Sequence, residues 1–260
     1  FYGGDIAGAI EDEMRRGRGI ITRLDLEKCR ATVTESWSFP YRDCEIRVSP
    51  CPNGLWTGIQ VLNILEPFDL AGMHHNSADY LHHYVEAARH AFADRFHYMA
   101  DPEHVEVPVS GLLSKDYAKG IASTIDPDHS GFAEGGELPA IAYAAQPLHD
   151  PWPFEPGGRG GAEFAAPSTA SPYTHTTSFA VADREGSMVV CTETTGEVLG
   201  SKVTVPGTGI VLNDMMALFS PRPGTANSVA PWKRTLGSTT APIVLRNGRP
   251  LFAMGSPGGR

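Results

Sequence analysis

Thr174-His175-Thr176-Thr177-Ser178-Phe179-Ala180-Val181-Ala182-Asp183 is the stretch on which the reading of this chain turns. Two adjacent threonines open an alternating, strand-like run that ends in Asp183-Arg184-Glu185-Gly186. A hydroxyl at a strand entrance ordinarily makes a local hydrogen bond and nothing more. It becomes a catalytic group if the peptide bond before it is cut, because the residue then carries a free α-amine beside its own hydroxyl. Such an amine titrates at about 7.7–8.0, so near neutral pH much of it can accept the hydroxyl proton. No histidine partner is needed.

Outward from this stretch the chain changes character twice. Residues 128–175 carry Pro147, Pro151, Pro153, Pro156, Gly157, Gly158, Gly160, Gly161 and Pro167, which interrupt any regular element. They read as a long linker ending at the threonine pair. Residues 1–127 are helix-rich. Ile6 to Arg16 is predicted helical, with Ile6, Ile10 and Met14 on one face and Gly17 and Gly19 ending it. Thr22 and Asp25 form a capping-box pattern for a short helix. Trp37 to Val48 reads as a strand pair around Tyr41-Arg42-Asp43, followed by a rigid turn at Pro50-Cys51-Pro52-Asn53-Gly54 and a helix from Gly58 to Leu65. The longest helix is capped by Asn76 or Ser77 and closes at Asp101-Pro102. Its apolar stripe is Leu81, Val85, Ala88, Phe92, Phe96 and Met99. Lys115 to Ile125 is one more short helix. Residues 176–260 are β-rich, with strands at Phe179–Ala182, Met188–Thr192, Ile210–Leu212, Ile243–Leu245 and Leu251–Met254, and Asn247-Gly248 turning a hairpin.

Composition narrows the function classes. The 260 residues are 41% hydrophobic and 20% charged, ordinary for one large or two small globular domains. A net charge of −9 speaks against a nucleic-acid partner. No apolar run approaches the roughly 20 residues of a membrane-spanning helix. Phe1-Tyr2-Gly3-Gly4-Asp5 runs straight into a helical pattern without a signal peptide, and both ends read as interior stretches of a longer chain. Cys29, Cys44, Cys51 and Cys191 have no CxxC spacing for structural zinc; Cys44 and Cys51 could pair, and free thiols are the plainer reading. His83, His90 and His97 share a helix face with Asp94, either as ligands for a metal or as a solvated polar face. Gly3-Gly4 and Gly157-Gly158-Arg159-Gly160-Gly161 lack the strand–loop–helix setting of a phosphate site. No cofactor is implied, since nucleophile and base would come from one residue.

Several further motifs carry a family resemblance. Phe1-Tyr2-Gly3-Gly4, Ile21-Thr22-Arg23-Leu24-Asp25-Leu26, Leu62-Asn63-Ile64-Leu65-Glu66, Ala91-Phe92-Ala93-Asp94-Arg95 and Leu112-Leu113-Ser114-Lys115 resemble large-subunit stretches of the gamma-glutamyltranspeptidases, which are N-terminal nucleophile hydrolases. Thr176 to Asp183 resembles the start of their small subunit, and Pro206-Gly207-Thr208-Gly209-Ile210, Lys233-Arg234 and Gly255-Ser256-Pro257-Gly258-Gly259 resemble later parts of it. The resemblance implies an α+β fold, an αββα four-layer sandwich that is incomplete over this length. Residues 1–127 would end the large subunit and residues 176–260 begin the small one, both from one precursor cut between His175 and Thr176. Thr176 matches the nucleophile. Thr194 matches a second threonine that holds it, Gly258 and Gly259 the oxyanion-hole pair, and Ser238 a ligand of the substrate α-carboxylate. The substrate would be a small-molecule amide or γ-glutamyl-like compound, its acyl group passing to water or an amine. Export to the periplasm or exterior is a further implication.

Departures from the family pattern concern specificity. Gly196, Met215 and Leu218 stand where the resemblance places the Asn, Gln and Asp that hold the substrate α-amino group. Gly237-Ser238 replaces a Ser-Ser pair, Pro50-Cys51-Pro52-Asn53-Gly54 replaces a proline-serine-glycine turn, and Ser178 stands where His is common. An ammonium buried without partners costs several kcal/mol, roughly. The expectation is an amidase or acylase for a different, less polar acyl group. A conventional glutathione-cleaving γ-glutamyltransferase and a catalytically silent binding homologue are the other two readings.

Overall fold

The computed structural model describes residues 1–50, 52–131, 149–158, 175–237, 239 and 241–257. Helices α1 (Asp5–Gly17) and α2 (Arg23–Lys28) precede strands β1 (Trp37–Tyr41) and β2 (Cys44–Val48). Helices α3 (Leu55–Leu65), α4 (Ala78–Tyr98), α5 (Val109–Leu112) and α6 (Lys115–Ala122) follow. A 3-10 turn at Trp152–Phe154 comes next, then strands β3 (His175–Ala182), β4 (Met188–Gly196), β5 (Ile243–Arg246) and β6 (Arg249–Ala253). Four strands form an antiparallel sheet in the order β1-β2-β5-β6, and β3-β4 make a separate antiparallel ribbon.

Local chemistry explains most boundaries. Thr22 and Asp25 close the capping box of α2, and the Ser77 and Ser114 hydroxyls accept backbone N–H groups at the starts of α4 and α6. Of the two cap candidates for α4, Ser77 is the cap. Helix α3 starts at Leu55 rather than Gly58, because Asn53 Oδ1 accepts the Leu55 N–H at 2.8 Å. Helix α6 stops at Ala122, short of Ile125, which is buried in the turn beyond it. Asn247 and Gly248, with φ of 52° and 74°, give the β5–β6 hairpin the twist its strands require. Pro40 and Pro250 both lie on edge strands of the sheet, where a missing N–H breaks no ladder. The strand expected at Ile210–Leu212 is only a single bridge between Thr204 and Val211, since the intervening loop turns tightly through Gly207 and Gly209.

The sheet packs Ile46, Val48 and Val244 onto Ile59 of α3. The opposite side of α3 (Trp56, Val61, Ile64 and Leu65) meets Ala87, Ala91 and Tyr98 of α4 and Tyr117, Ala118 and Ile121 of α6. Trp37 of β1 stacks on Trp56 at 5.0 Å. Burying an apolar side chain of this size stabilises by about 1.5–3 kcal/mol, so this double contact makes α3 the centre of the fold.

The face that α4 buries is not the one its apolar spacing indicates. Leu81 and Val85 are each 44% exposed, whereas His83, His90 and Asp94 are buried. The solvated histidine face is therefore corrected: it points inward. Asp94 Oδ1 accepts His149 Nδ1–H at 2.7 Å, and Oδ2 accepts the Tyr117 hydroxyl at 2.8 Å and the Gln60 amide. His149 Nε2 lies 3.1 Å from His90 Nδ1, and the Tyr98 hydroxyl donates to the His149 carbonyl. Polar partners outweigh the apolar periodicity because each buried polar group is satisfied by another. His83 instead sits 2.8 Å from the Asp79 carbonyl and edge-on to Phe68. Among the described residues no group of His, Cys, Asp and Glu is arranged to hold a metal.

Burial pushes the His90 imidazole down from 6.5 to about 3, with His149 and Arg89 adding to the effect. Folded His90 thus stays neutral while the unfolded chain takes up its proton. Stability falls as pH drops from about 6.5 toward about 3. Urea midpoints at pH 7 and pH 4.5 are expected to show this decline, and His90→Gln should flatten it. An equal decline in both proteins would place the acid sensitivity elsewhere.

Candidate active site

The β3–β4 ribbon carries the threonine pair at its open end. Cross-strand partners are Thr176 with Thr194, Thr177 with Glu193, and Ser178 with Thr192. Because side chains alternate along a strand, Thr176, Ser178, Thr192 and Thr194 share one face of the ribbon. That face is half-buried, whereas Thr177, Phe179 and Glu193 are exposed on the other. The ladder breaks register between His175 and Thr176, so that His175 pairs with Gly196 and one residue of β4 is skipped. Such a bulge re-aims the chain at the peptide bond joining His175 to Thr176.

A short hydrogen-bonded chain ends on that bond. The Thr194 hydroxyl donates to the His175 carbonyl oxygen. The Gly196 N–H donates to Thr194 Oγ1 at 2.9 Å, which commits the Thr194 proton to the carbonyl. A donor on a carbonyl oxygen stabilises negative charge developing there. The geometry also explains Gly196. Its φ is 92°, and a Cβ at this position would overlap the Asp214 carboxylate. Asp214 Oδ1 in turn accepts the Glu197 N–H at 3.0 Å. Met215 is half-buried and Leu218 buried, and both side chains are apolar.

The remaining sequence candidates fall partly outside the described residues: Ser238, Gly258 and Gly259 are among those not described, as is Cys51 of the candidate disulfide. Their flanks are placed. Gly237 N–H donates to the Pro52 carbonyl at 2.9 Å, and buried Arg95 reaches the Gly237 carbonyl, the Gly54 carbonyl and the Thr57 hydroxyl. The Pro52–Gly54 turn thereby anchors the approach to Ser238. Arg234, just upstream, grips Asp101 through its backbone N–H at 2.8 Å and its guanidinium at 2.7 Å. Burial raises the Asp101 carboxyl, but these bonds and one from the Glu103 N–H outweigh it and hold the group at about 2. The chain leading to Gly258 passes directly over the ribbon. A Cβ on Gly255 would stand 2.7 Å from both Ser178 Oγ and Thr192 Oγ1. These two hydroxyls are hydrogen-bonded to each other at 2.7 Å. Sequence reading did not single out Thr192, Asp214 or Gly255 as site residues.

The fold and this threonine-bearing ribbon define an α+β protein of the N-terminal nucleophile hydrolase class, present in part. Comparison with known proteins agrees. The chain is similar over 97% of its length, with a TM-score of 0.73 and 25% identity, to a cephalosporin acylase from Bacillus halodurans, 40% of which it covers. The gamma-glutamyltranspeptidase family model matches residues 1–260. The chain belongs to the gamma-glutamyltranspeptidase family. It is 34% identical over its whole length to a glutathione hydrolase proenzyme of Escherichia coli (strain K12), covering 42% of that protein. It is 35% identical over 99% of its length to an acylase ACY 1 proenzyme of Pseudomonas sp. (strain SE83), covering 41% of it. The chain thus spans about two fifths of the length of the curated relatives it matches. Among the described residues no helix is long and apolar enough to cross a membrane.

Proposed function

We propose that this chain is part of an autoprocessing amidohydrolase or acyltransferase whose nucleophile is Thr176. The observation that carries this reading is the Thr194 hydroxyl donating to the carbonyl oxygen of the His175–Thr176 bond. Thr176 Oγ1 attacks the His175 carbonyl carbon while Thr194 bears the charge developing on the oxygen. Collapse breaks the C–N bond, and the nitrogen keeps its hydrogen and gains the hydroxyl proton. Water then hydrolyses the resulting ester, leaving His175 as a carboxylate and Thr176 with a free amine. In turnover that amine takes the Thr176 hydroxyl proton as Oγ1 attacks a substrate amide, and the leaving amine departs with it. Water or an acceptor amine then removes the acyl group. Gly258 and Gly259 are assigned the substrate oxyanion, Ser238 a substrate polar group, and residues 1–175 and 176–260 the two sides of the cut. Names of the relatives support this reading, since both glutathione hydrolases and acylases are proenzymes.

Intact mass spectrometry of the full-length protein tests it: one fragment is expected to begin at Thr176, and a single uncut chain would overturn the proposal in favour of a silent binding homologue. Thr194→Val keeps the shape of the side chain but removes the donor, and should slow the cut by about 10²–10³-fold. An unchanged cleavage rate in this variant, followed by timed electrophoresis, would remove Thr194 from the mechanism.

The same reading favours an acyl group without an α-ammonium. Gly196 cannot take a side chain past Asp214, and Met215 and Leu218 are apolar. Simple acyl anilides are expected to turn over faster than the γ-glutamyl anilide. The reverse order would mean that Asp214, the carboxylate beside Gly196, has taken over recognition of the amine.

A further inference from the structure

The face of the ribbon that carries Thr176 and Thr194 bears a second hydroxyl pair, and the proposed chemistry gives it no task. Ser178 and Thr192 are the next cross-strand pair on that face, two rungs along the ladder, joined at 2.7 Å. Residue 255 rests on this pair. It comes from the other sheet, just beyond β6, where the Met254 N–H is held by the Pro242 carbonyl at 3.2 Å. A methyl group at 255 would stand 2.7 Å from both oxygens and 3.0 Å from Ser178 Cβ. Real Cβ contacts are not that close. The oxygens could rotate away only by breaking their mutual bond, and Ser178 Cβ cannot rotate away at all. At Gly255 the chain that follows β6 therefore lies in close contact with the ribbon that carries Thr176.

We infer that Ser178, Thr192 and Gly255 form a spacer that sets how closely the chain after β6 lies against the strand of Thr176, and that turnover of a substrate depends on this spacing. They act as positioning residues rather than catalytic ones. Ser178 is a small residue on β3, directly opposite Thr192, and two hydroxyls and a glycine allow the backbone of 255 to lie flat on the ribbon. The inference rests on the proposed function, since it needs Thr176 as nucleophile. It separates two events on one ribbon. The cut at His175–Thr176 uses Thr194 and should not depend on the spacer, whereas turnover of an external amide needs the segment beyond Gly255. A misplacement of about 1 Å at a reacting centre costs about 10²-fold.

The test uses the full-length protein carrying Gly255→Ala, Thr192→Val or Thr192→Ser, with cleavage read by intact mass and steady-state rates on an acyl anilide read separately. Gly255→Ala and Thr192→Val should cleave at the parent rate but lose about 100-fold in kcat, with KM changed less than about threefold. Thr192→Ser keeps the oxygen and should restore kcat to within about threefold of the parent. A parent-like kcat in Thr192→Val overturns the inference, as does loss of cleavage in that variant while the parent is cut. If Gly255→Ala fails to fold, Ser178→Ala, which removes one oxygen and adds nothing, takes its place with the same expected split. An uncut parent overturns the proposed function and this inference together; a cut parent with an insensitive spacer overturns this one alone.

Discussion

Thr176→Ala in the full-length protein is expected to remain a single uncut chain and to lose amide-cleaving activity by more than about 10⁴-fold. The substitution removes one oxygen and one methyl group from a half-buried strand position and leaves the backbone able to pair with Thr194. Stability should therefore change little, which keeps the loss of activity from being a folding artefact. On the proposed mechanism two functions would disappear at once: the oxygen that attacks the His175 carbonyl, and the amine that cleavage would free to act as base. Thr176→Ser retains both groups and should be cut, more slowly, because a primary hydroxyl samples more rotamers than a β-branched one. Activity of the processed parent should rise as pH climbs through about 7.7–8.0, where an α-amine becomes neutral. A Thr176→Ala protein that still yields a fragment starting at residue 176 would end the autoprocessing proposal.

Asp94→Ala should destabilise the fold by about 3 kcal/mol or more, read from urea midpoints with the parent as reference. The carboxylate accepts from His149, Tyr117 and Gln60, and all four residues are buried. Deleting it leaves three donors without their acceptor, and each buried unsatisfied donor costs about 1–3 kcal/mol. Against a typical total of about 5–15 kcal/mol, that loss is a large share. Asp94→Asn keeps the volume but offers only one acceptor oxygen, so an intermediate loss is expected. A loss under about 1 kcal/mol for Asp94→Ala would mean that the network contributes shape rather than stability.

The two regions differ in how much of them could be read from sequence, and the reason is physical. Capping and turn chemistry is local, so Thr22-Arg23-Leu24-Asp25 and Asn247-Gly248 announce their structures directly. The threonine pair announced its strand as well, although pairing extends back to His175 rather than starting at Phe179. The orientation of α4 was not legible. Its apolar stripe is genuine, but His90 and Asp94 find partners in His149, Gln60 and Tyr117, three residues whose sequence positions say nothing about Asp94. Period alone measures where apolar atoms are, not whether a polar face has a partner waiting. In the candidate site, Thr176 and Thr194 were legible through the family resemblance, while the requirement for glycine at 255 was not, because it is imposed by two hydroxyls more than sixty residues away.

Strand β2 precedes the proposed cut and pairs with β5, which follows it. Severing His175 from Thr176 would therefore leave two polypeptides interlocked through one ladder, each supplying the other with a strand neighbour. Neither could be made alone without an open hydrogen-bonding edge, the feature that invites aggregation. On the proposed mechanism the cut would come after folding, and the Thr194–His175 contact, which exists only once β3 and β4 have paired, would make folding itself the licence for activation. A chain that misfolds would stay inert, without any separate inhibitor.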